Sequence, residues 1–178
     1  MSFTDYIEDI FTTLENVPYN NNKMEAFISY IGNTGYDSSL GSVQPTENDV
    51  VYAYFRQRTC LALIDCLQNM SFTSATDAKS ALQICAKIIN AEIHYCYDSG
   101  DSQSGQILSS YLASLTSFIT QESAQLPDVI NISLNDNLPA CVIAYQYYGD
   151  ATRDDELIQR NNPICGASMP TNIEMLRF

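Results

Sequence analysis

Between Arg58 and Met70 the chain reads RTCLALIDCLQNM, in which apolar side chains recur on nearly every side of a helix. The large apolar residues of this run are Leu61, Leu63, Ile64, Leu67 and Met70. A helix that is apolar on most of its faces lies at the centre of a bundle or is covered by another subunit. We therefore predict that residues 49–70 form a helix that is either central to a bundle or covered by another subunit.

Two amphipathic patterns follow this helix at short distances, and both have the 3.6-residue period of a helix. The apolar face of the first consists of Ala78, Leu82, Cys85, Ile89, Ile93 and Cys96. The apolar face of the second consists of Ile107, Leu108, Tyr111, Leu112, Leu115, Phe118 and Ile119. Because only short connections join the three helices, residues 49–126 are predicted to form an antiparallel helical bundle.

The last third of the chain has a different pattern. Residues 129–134 alternate between apolar and polar side chains, which predicts a short strand. A helix with Pro139 in its first turn should follow and end at Gly149, and residues 172–178 could form a last extended segment. Residues 127–178 are therefore predicted to be a small α+β module, and the fold class is mainly α.

The N-terminal 48 residues are predicted to be a helical arm and a linker. Apolar residues recur at helical spacing from Phe3 to Leu14, a second short helix covers 23–31, and 32–48 is rich in loop-forming residues. We expect the apolar stripe of the arm to contact another protein through Phe3, Ile7, Ile10, Phe11 and Leu14. The double change Ile7→Asp with Phe11→Asp should then leave the bundle folded and abolish incorporation of the chain into an assembled particle.

The charge balance excludes several classes of partner. Eight Lys and Arg residues stand against 21 Asp and Glu residues, so the formal net charge is −13 at pH 7. Such a surface repels phosphate backbones, and a basic protein surface suits it better than nucleic acid. The first residues lack the apolar run of a signal peptide, and no apolar stretch is long enough to span a bilayer. We expect a cytoplasmic chain with six free thiols.

Residues that carry out catalysis are sparse. His94 is the one imidazole of the chain and falls on a predicted solvent face, so a nucleophile has no evident base. The cysteines show no C-x-x-C spacing of the kind found in zinc sites. Asp154, Asp155 and Glu156 are adjacent, and neighbours on a helix point in different directions. The sequence predicts no enzyme activity, no cofactor and no metal.

Residues 138–161 read LPACVIAYQYYGDATRDDELIQRN, and Met169-Pro170 and Ile173-Glu174-Met175-Leu176 follow near the chain end. This order resembles the C-terminal part of the Mu-like phage "DNA circularisation" protein family, from about Glu47 onward. The family's Ile-x-His-Pro segment lacks its histidine here, and the family's larger N-terminal domain has no counterpart. The stretch 149–176 also resembles a fragment of a LysM module, although the sequence offers no convincing first strand for one.

The resemblance implies a structural component of a phage contractile-tail baseplate or hub, located in the virion and in the host cytoplasm during assembly. Its expected partners are other tail and baseplate proteins in multiple symmetric copies, with no direct contact to nucleic acid or membrane. The contact residues expected in the C-terminal module are Tyr145, Tyr148, Asp150, Glu156 and Arg160. The alternatives are a LysM-like glycan-binding accessory, which would be retained on peptidoglycan, and a tail-assembly chaperone or adaptor, which would be absent from finished particles.

Overall fold

A computed structural model describes residues 5, 8, 9, 11–13, 24, 27, 28, 36, 37, 42, 43 and 49–177. The chain divides into two compact units, Met1–Thr73 with Asp77–Gln125, and Ser74–Thr76 with Leu126–Phe178. We call the first the helical unit and the second the C-terminal unit. The described residues are mainly helical with a small β part, which confirms the predicted mainly α class.

The helical unit contains three long helices whose bounds are described, namely α1 (Asp49–Asn69), α2 (Ala75–Asp98, from Asp77 onward in this unit) and α3 (Ser102–Ser123). Arg56, early in α1, pairs with Glu92, late in α2. Cys66, late in α1, lies near Cys85, in the middle of α2. Because later positions in α1 meet earlier positions in α2, these two helices run in opposite directions.

One apolar core joins the three helices. It contains the predicted α1 residues Leu63, Ile64 and Leu67, which are buried, with Leu61 and Met70 packed at its edge. Burial of the apolar side chains in this core is the main contribution that stabilises the folded helical unit. The all-round apolar character of α1 therefore matches a helix with neighbours on several sides.

The apolar stripe predicted for α3 is divided between core and solvent. Leu108, Leu115 and Ile119 are buried, and Leu112 packs against the core. Ile107, Tyr111 and Phe118 are exposed on a neighbouring face of the same helix. The seven residues of the predicted apolar face therefore cover a wider arc of the helix than the core does.

The predicted N-terminal arm supplies residues to the core of the helical unit. Phe11, Met24 and Phe27 are buried in the same cluster as the three helices, and the Phe11 and Phe27 rings stack with centroids 6.3 Å apart. The Arg58 guanidinium lies 4.9 Å from the centre of the Phe11 ring. Phe11 is therefore a core residue, which corrects its assignment as a contact for another protein. Phe3, Ile7, Ile10 and Leu14 lie outside the described residues.

Part of the predicted linker is paired. Strands β1 (Tyr36–Asp37) and β2 (Ser42–Val43) form a two-stranded antiparallel sheet with Tyr36 opposite Val43. The prediction of a loop over 32–48 is wrong for these four residues, because β pairing of such short segments leaves no periodic pattern in the sequence.

The C-terminal unit has the order strand, helix, helix, strand. Its elements are β3 (Asp128–Ser133), α4 (Ala140–Tyr148), a 3-10 turn (Ala151–Arg153), α5 (Asp154–Asn161) and β4 (Asn172–Arg177). The two strands pair antiparallel, with Asp128 opposite Arg177 and Ser133 opposite Asn172. Its core consists of Ala140, Ile143, Ala144, Leu157, Met169, Ile173 and Met175.

The boundaries of these elements follow from local chemistry. Pro139 precedes α4 as its N-cap, one position before the first turn in which the sequence analysis placed it. Gly149 ends α4 with φ +73°, a left-handed conformation that costs glycine little. Ala75 donates its N–H to the Pro127 carbonyl at 2.9 Å, and the Val129 N–H donates to Thr76 Oγ1 at 3.2 Å. These two bonds attach segment 74–76 to the C-terminal unit.

Candidate functional site

Tyr148, at the end of α4, links both helices of the C-terminal unit to β4. Its hydroxyl donates to Glu156 Oε1 at 2.8 Å and accepts the backbone N–H of Leu176 at 3.0 Å. Burial raises the pKa of the Tyr148 hydroxyl, and the hydrogen bond to Glu156 raises it further. The neutral phenol that this bonding pattern requires is therefore the form favoured in the folded unit.

Arg153 completes this cluster. Its guanidinium carbon lies 3.8 Å from the centre of the Tyr148 ring, and the same group forms an ion pair with Glu156. The cation–π contact and the ion pair thus hold the Arg153 side chain over the Tyr148 ring. Because Arg153 and Glu156 are partly exposed, the ion pair adds little stability by itself. Its main effect is to fix the positions of Tyr148 and Glu156.

Asp150 forms the turn between the two helices. Its Oδ1 accepts the Thr152 backbone N–H at 2.9 Å and the Thr152 hydroxyl at 2.7 Å. These side-chain and backbone hydrogen bonds lower the pKa of the Asp150 carboxyl. A carboxylate that accepts such bonds is a helix cap, and it satisfies an N–H that the helix itself leaves without a partner.

Asn161, the last residue of α5, binds the outer edge of β4. Its Oδ1 accepts the Glu174 backbone N–H at 2.7 Å, and its Nδ2 donates to the Glu174 carbonyl at 2.8 Å. Nδ2 also lies 2.9 Å from the Leu157 carbonyl. The side-chain amide therefore takes the place of a neighbouring strand at this position.

We expect Asn161→Ala to destabilise the C-terminal unit by about 2–3 kcal/mol, since each lost hydrogen bond costs on the order of 1 kcal/mol. Gln159→Ala, on the exposed face of the same helix, is the matched control and should change little. Urea unfolding followed by circular dichroism measures both. Equal stability of the two variants would show that the amide does not hold β4.

The predicted contact residues of this unit fall into two groups. Tyr145 is 67% exposed and makes no hydrogen bond with its side chain to any other described residue. Tyr148, Asp150 and Glu156 use their polar atoms within the unit, and Arg160 is half-buried on α5. Tyr145 is therefore free to bind a partner, whereas the other four first of all build the unit, and their contact with a partner stays a prediction.

The sequence analysis did not name Val142 and Ile164, two exposed apolar residues of the C-terminal unit, as contact residues. Val142 and the exposed Tyr147 share α4 with Tyr145, and Ile164 is fully exposed in the loop after α5. We call Val142 and Tyr145 the α4 face, because residues three apart lie on one side of a helix. This spacing is visible in the sequence, but only the burial of Ile143 and Ala144 shows which side of α4 faces solvent.

A surface cleft of about 310 Å³ lies beside the cluster formed by Tyr148, Arg153 and Glu156. Its lining residues are Ile130, Tyr147, Tyr148, Arg153, Met175, Leu176 and Arg177. Tyrosine rings and guanidinium groups in a shallow cleft suit a polar ligand with a flat apolar side, such as a sugar ring.

The cysteines divide by burial. Cys60, Cys66, Cys85 and Cys96 are buried and Cys141 and Cys165 are exposed, all as free thiols. Burial raises the pKa of Cys85 to about 12 and that of Cys96 to about 11, with a smaller contribution from a neighbouring thiol and from Glu92, respectively. These two thiols are poor nucleophiles at neutral pH, since the thiolate is the reactive form.

A thiol-reactive chromophore should therefore modify only Cys141 and Cys165 rapidly in the folded chain. All six cysteines should react once the protein is unfolded, because burial then no longer protects the other four. Stopped reactions analysed by peptide mass spectrometry identify the modified residues. Rapid native modification of Cys85 or Cys60 would contradict the described packing.

Within the residues that the structure describes, no three His, Cys, Asp or Glu side chains come together as a possible metal-ion site. None of the helices described has the length and apolar character required to cross a bilayer. When the chain is compared with known proteins, no protein-family model and no curated protein matches it.

Proposed function

We propose that this chain is a non-catalytic structural component of a phage contractile-tail baseplate or hub, and that it acts by packing against other tail proteins. The resemblance carried by residues 138–161 supports the tail location. The exposed α4 face carries the packing part of the proposal, because it presents a valine and a tyrosine that the unit itself does not use. Tyrosine is enriched at protein interfaces, where the ring buries area and the hydroxyl finds a partner.

The bonding of the C-terminal unit supports a scaffolding role over a reactive one. The side chains of Tyr148, Arg153 and Glu156 are bound to one another. Asp150 caps the turn that follows α4, and Asn161 hydrogen-bonds the backbone of β4. Side chains used in this way position the α4 face rigidly. A rigid surface binds with a smaller loss of conformational entropy than a mobile one.

The test is incorporation into particles. Val142→Asp with Tyr145→Asp places two charges on the α4 face, and both residues are exposed, so the unit should stay folded. We expect at least a tenfold loss of the variant from purified particles, which corresponds to about 1.4 kcal/mol of binding. Gln146→Asp, also exposed on α4, is the matched control and should be incorporated normally.

Circular dichroism of both variants before assembly separates lost binding from lost folding. Normal incorporation of a folded double variant would refute the α4 face as the contact. Absence of the wild-type chain from purified particles would refute the tail proposal itself and favour an assembly chaperone or adaptor.

One observation favours a second function, glycan binding. The strand–helix–helix–strand order and the antiparallel pairing of β3 with β4 supply the first strand that the LysM-like stretch 149–176 lacks. The tyrosine-lined cleft beside β4 offers a surface for a sugar. Retention on peptidoglycan that is lost in Tyr147→Ala would support this function, and no retention of the wild type would exclude it.

A further inference from the structure

Helix α3 carries regularly spaced apolar residues on its exposed side as well as on the side that packs into the core. Ile107, Tyr111 and Phe118 are 45%, 48% and 39% exposed. With Ser114 and Gln121 they occupy positions that alternate between four and three residues apart, which is the spacing of a helix–helix seam. We call these five residues the α3 seam. A helix of 22 residues is about 33 Å long, so the seam is long enough for a second helix to lie along it.

The lack of charge on α3 indicates what kind of partner helix would pack against the α3 seam. From Ser102 to Gln121 it contains no Asp, Glu, Lys or Arg, and Glu122 is its one charged residue. The exposed face of α2, by contrast, carries Lys79 and Lys87. A chain with a formal net charge of −13 would attract basic partners through its acidic surfaces and repel its own copies there. An uncharged face avoids that repulsion and so fits a second copy of the same chain.

The side chains of the seam also suit a two-fold antiparallel arrangement centred on Ser114. In that arrangement Tyr111 of one copy lies beside Phe118 of the other, and aromatic pairs of this kind are favourable. The small side chains of Ser110, Ser114 and Ser117 leave room for the helix axes to approach. Antiparallel helices also bring the Glu122 end of one copy towards the positive end of the other's dipole.

We propose that a second copy of this chain packs on the α3 seam, antiparallel and with the two Ser114 residues facing each other. The paired helices bury on the order of 1,000 Å² in total, which is near the lower limit for specific interfaces, so the dimer should be weak and reversible. The pairing does not require a tail location, and it uses a surface on the helical unit and not the α4 face.

Sedimentation equilibrium of the full chain tests this, over a range of about 1–500 μM chosen for weak interfaces. The wild type should pass from monomer to dimer, and Ser114→Glu should dissociate at least about tenfold more readily because like charges then face each other. Ser109→Glu adds the same charge to an exposed position on another side of α3 and should behave like the wild type.

A mixture of Ser114→Glu with Ser114→Lys provides the sharpest test. Each variant alone should be mostly monomeric at concentrations at which the wild type dimerises, whereas the mixture should form a heterodimer in which opposite charges face each other across the two-fold axis. A wild type that stays monomeric throughout would overturn the proposal. So would a folded Ser114→Glu variant that dimerises normally, or a mixture that fails to pair.

Discussion

Replacement of Phe11 by Asp is expected to unfold the helical unit. The Phe11 ring is 5% exposed, stacks with Phe27 and lies under the Arg58 guanidinium. Truncation of a buried phenylalanine to alanine costs about 3–5 kcal/mol, and a carboxylate in the same place costs more because it must lose its hydration. Since domains are stable by only about 5–15 kcal/mol, most of the stability of the unit should be lost.

The measurement is urea unfolding followed by far-ultraviolet circular dichroism. Thr13→Asp introduces the same charge two residues later at an exposed position and should leave the midpoint nearly unchanged. This expectation replaces the one drawn from the sequence, that Ile7→Asp with Phe11→Asp would leave the bundle intact. An unchanged midpoint for Phe11→Asp would show that the N-terminal segment does not contribute to the core.

The second large effect is expected at Arg56, whose side chain is 1% exposed. Its Nε lies 2.7 Å from Glu92 Oε2, and the guanidinium carbon is 4.5 Å from the centre of the Tyr95 ring. Arg56→Met leaves the Glu92 carboxylate buried without this cation, which costs about 3–5 kcal/mol. The double variant Arg56→Met with Glu92→Leu removes both charges and should recover most of that loss, because a well-packed apolar pair needs no desolvation of ions.

Arg58→Met is the matched control for this prediction. Arg58 is 23% exposed and pairs with Glu8, which is 46% exposed. Because solvent screens such a pair to about 0–1 kcal/mol, Arg58→Met should cost less than Arg56→Met even though it also removes the contact with the Phe11 ring. Urea unfolding of the wild type, Arg56→Met, Glu92→Leu and the double variant forms a double-mutant cycle, which gives the coupling between Arg56 and Glu92. If Arg56→Met lost no more stability than Arg58→Met, the buried pair would not be the strong constraint that its geometry indicates.

The sequence predicted the parts of the fold that depend on periodicity. The all-round apolar run of α1 predicted a helix that is covered on most sides, and alternation over 129–134 predicted β3 to within one residue. Arg56 could not be predicted as a buried residue, because a lone arginine in a helix pattern is expected at the surface. Its partner Glu92 is 36 residues away, and no periodicity connects them.

The candidate site was only partly predictable for a similar reason. Tyr145 and Tyr148 stand in one short run of tyrosines, yet one is exposed and the other is bound to Glu156 and Leu176. The contacts that separate them span 8 and 28 residues of sequence. The sequence did not separate the exposed Ile107, Tyr111 and Phe118 from the buried residues of α3, because periodicity indicates which residues share a face, and not how many neighbours the helix has.

The side-chain hydrogen bonds to the outer edge of β4 affect how the protein behaves when many copies are crowded together. An open strand edge is a template on which foreign strands nucleate, and proteins held at high local concentration are especially exposed to that hazard. Here the Asn161 amide and the Tyr148 phenol already saturate the outward backbone groups of Glu174 and the outward N–H of Leu176. In molecules held side by side, a foreign strand would therefore find these three backbone groups of β4 already occupied, which disfavours fibril formation at this edge.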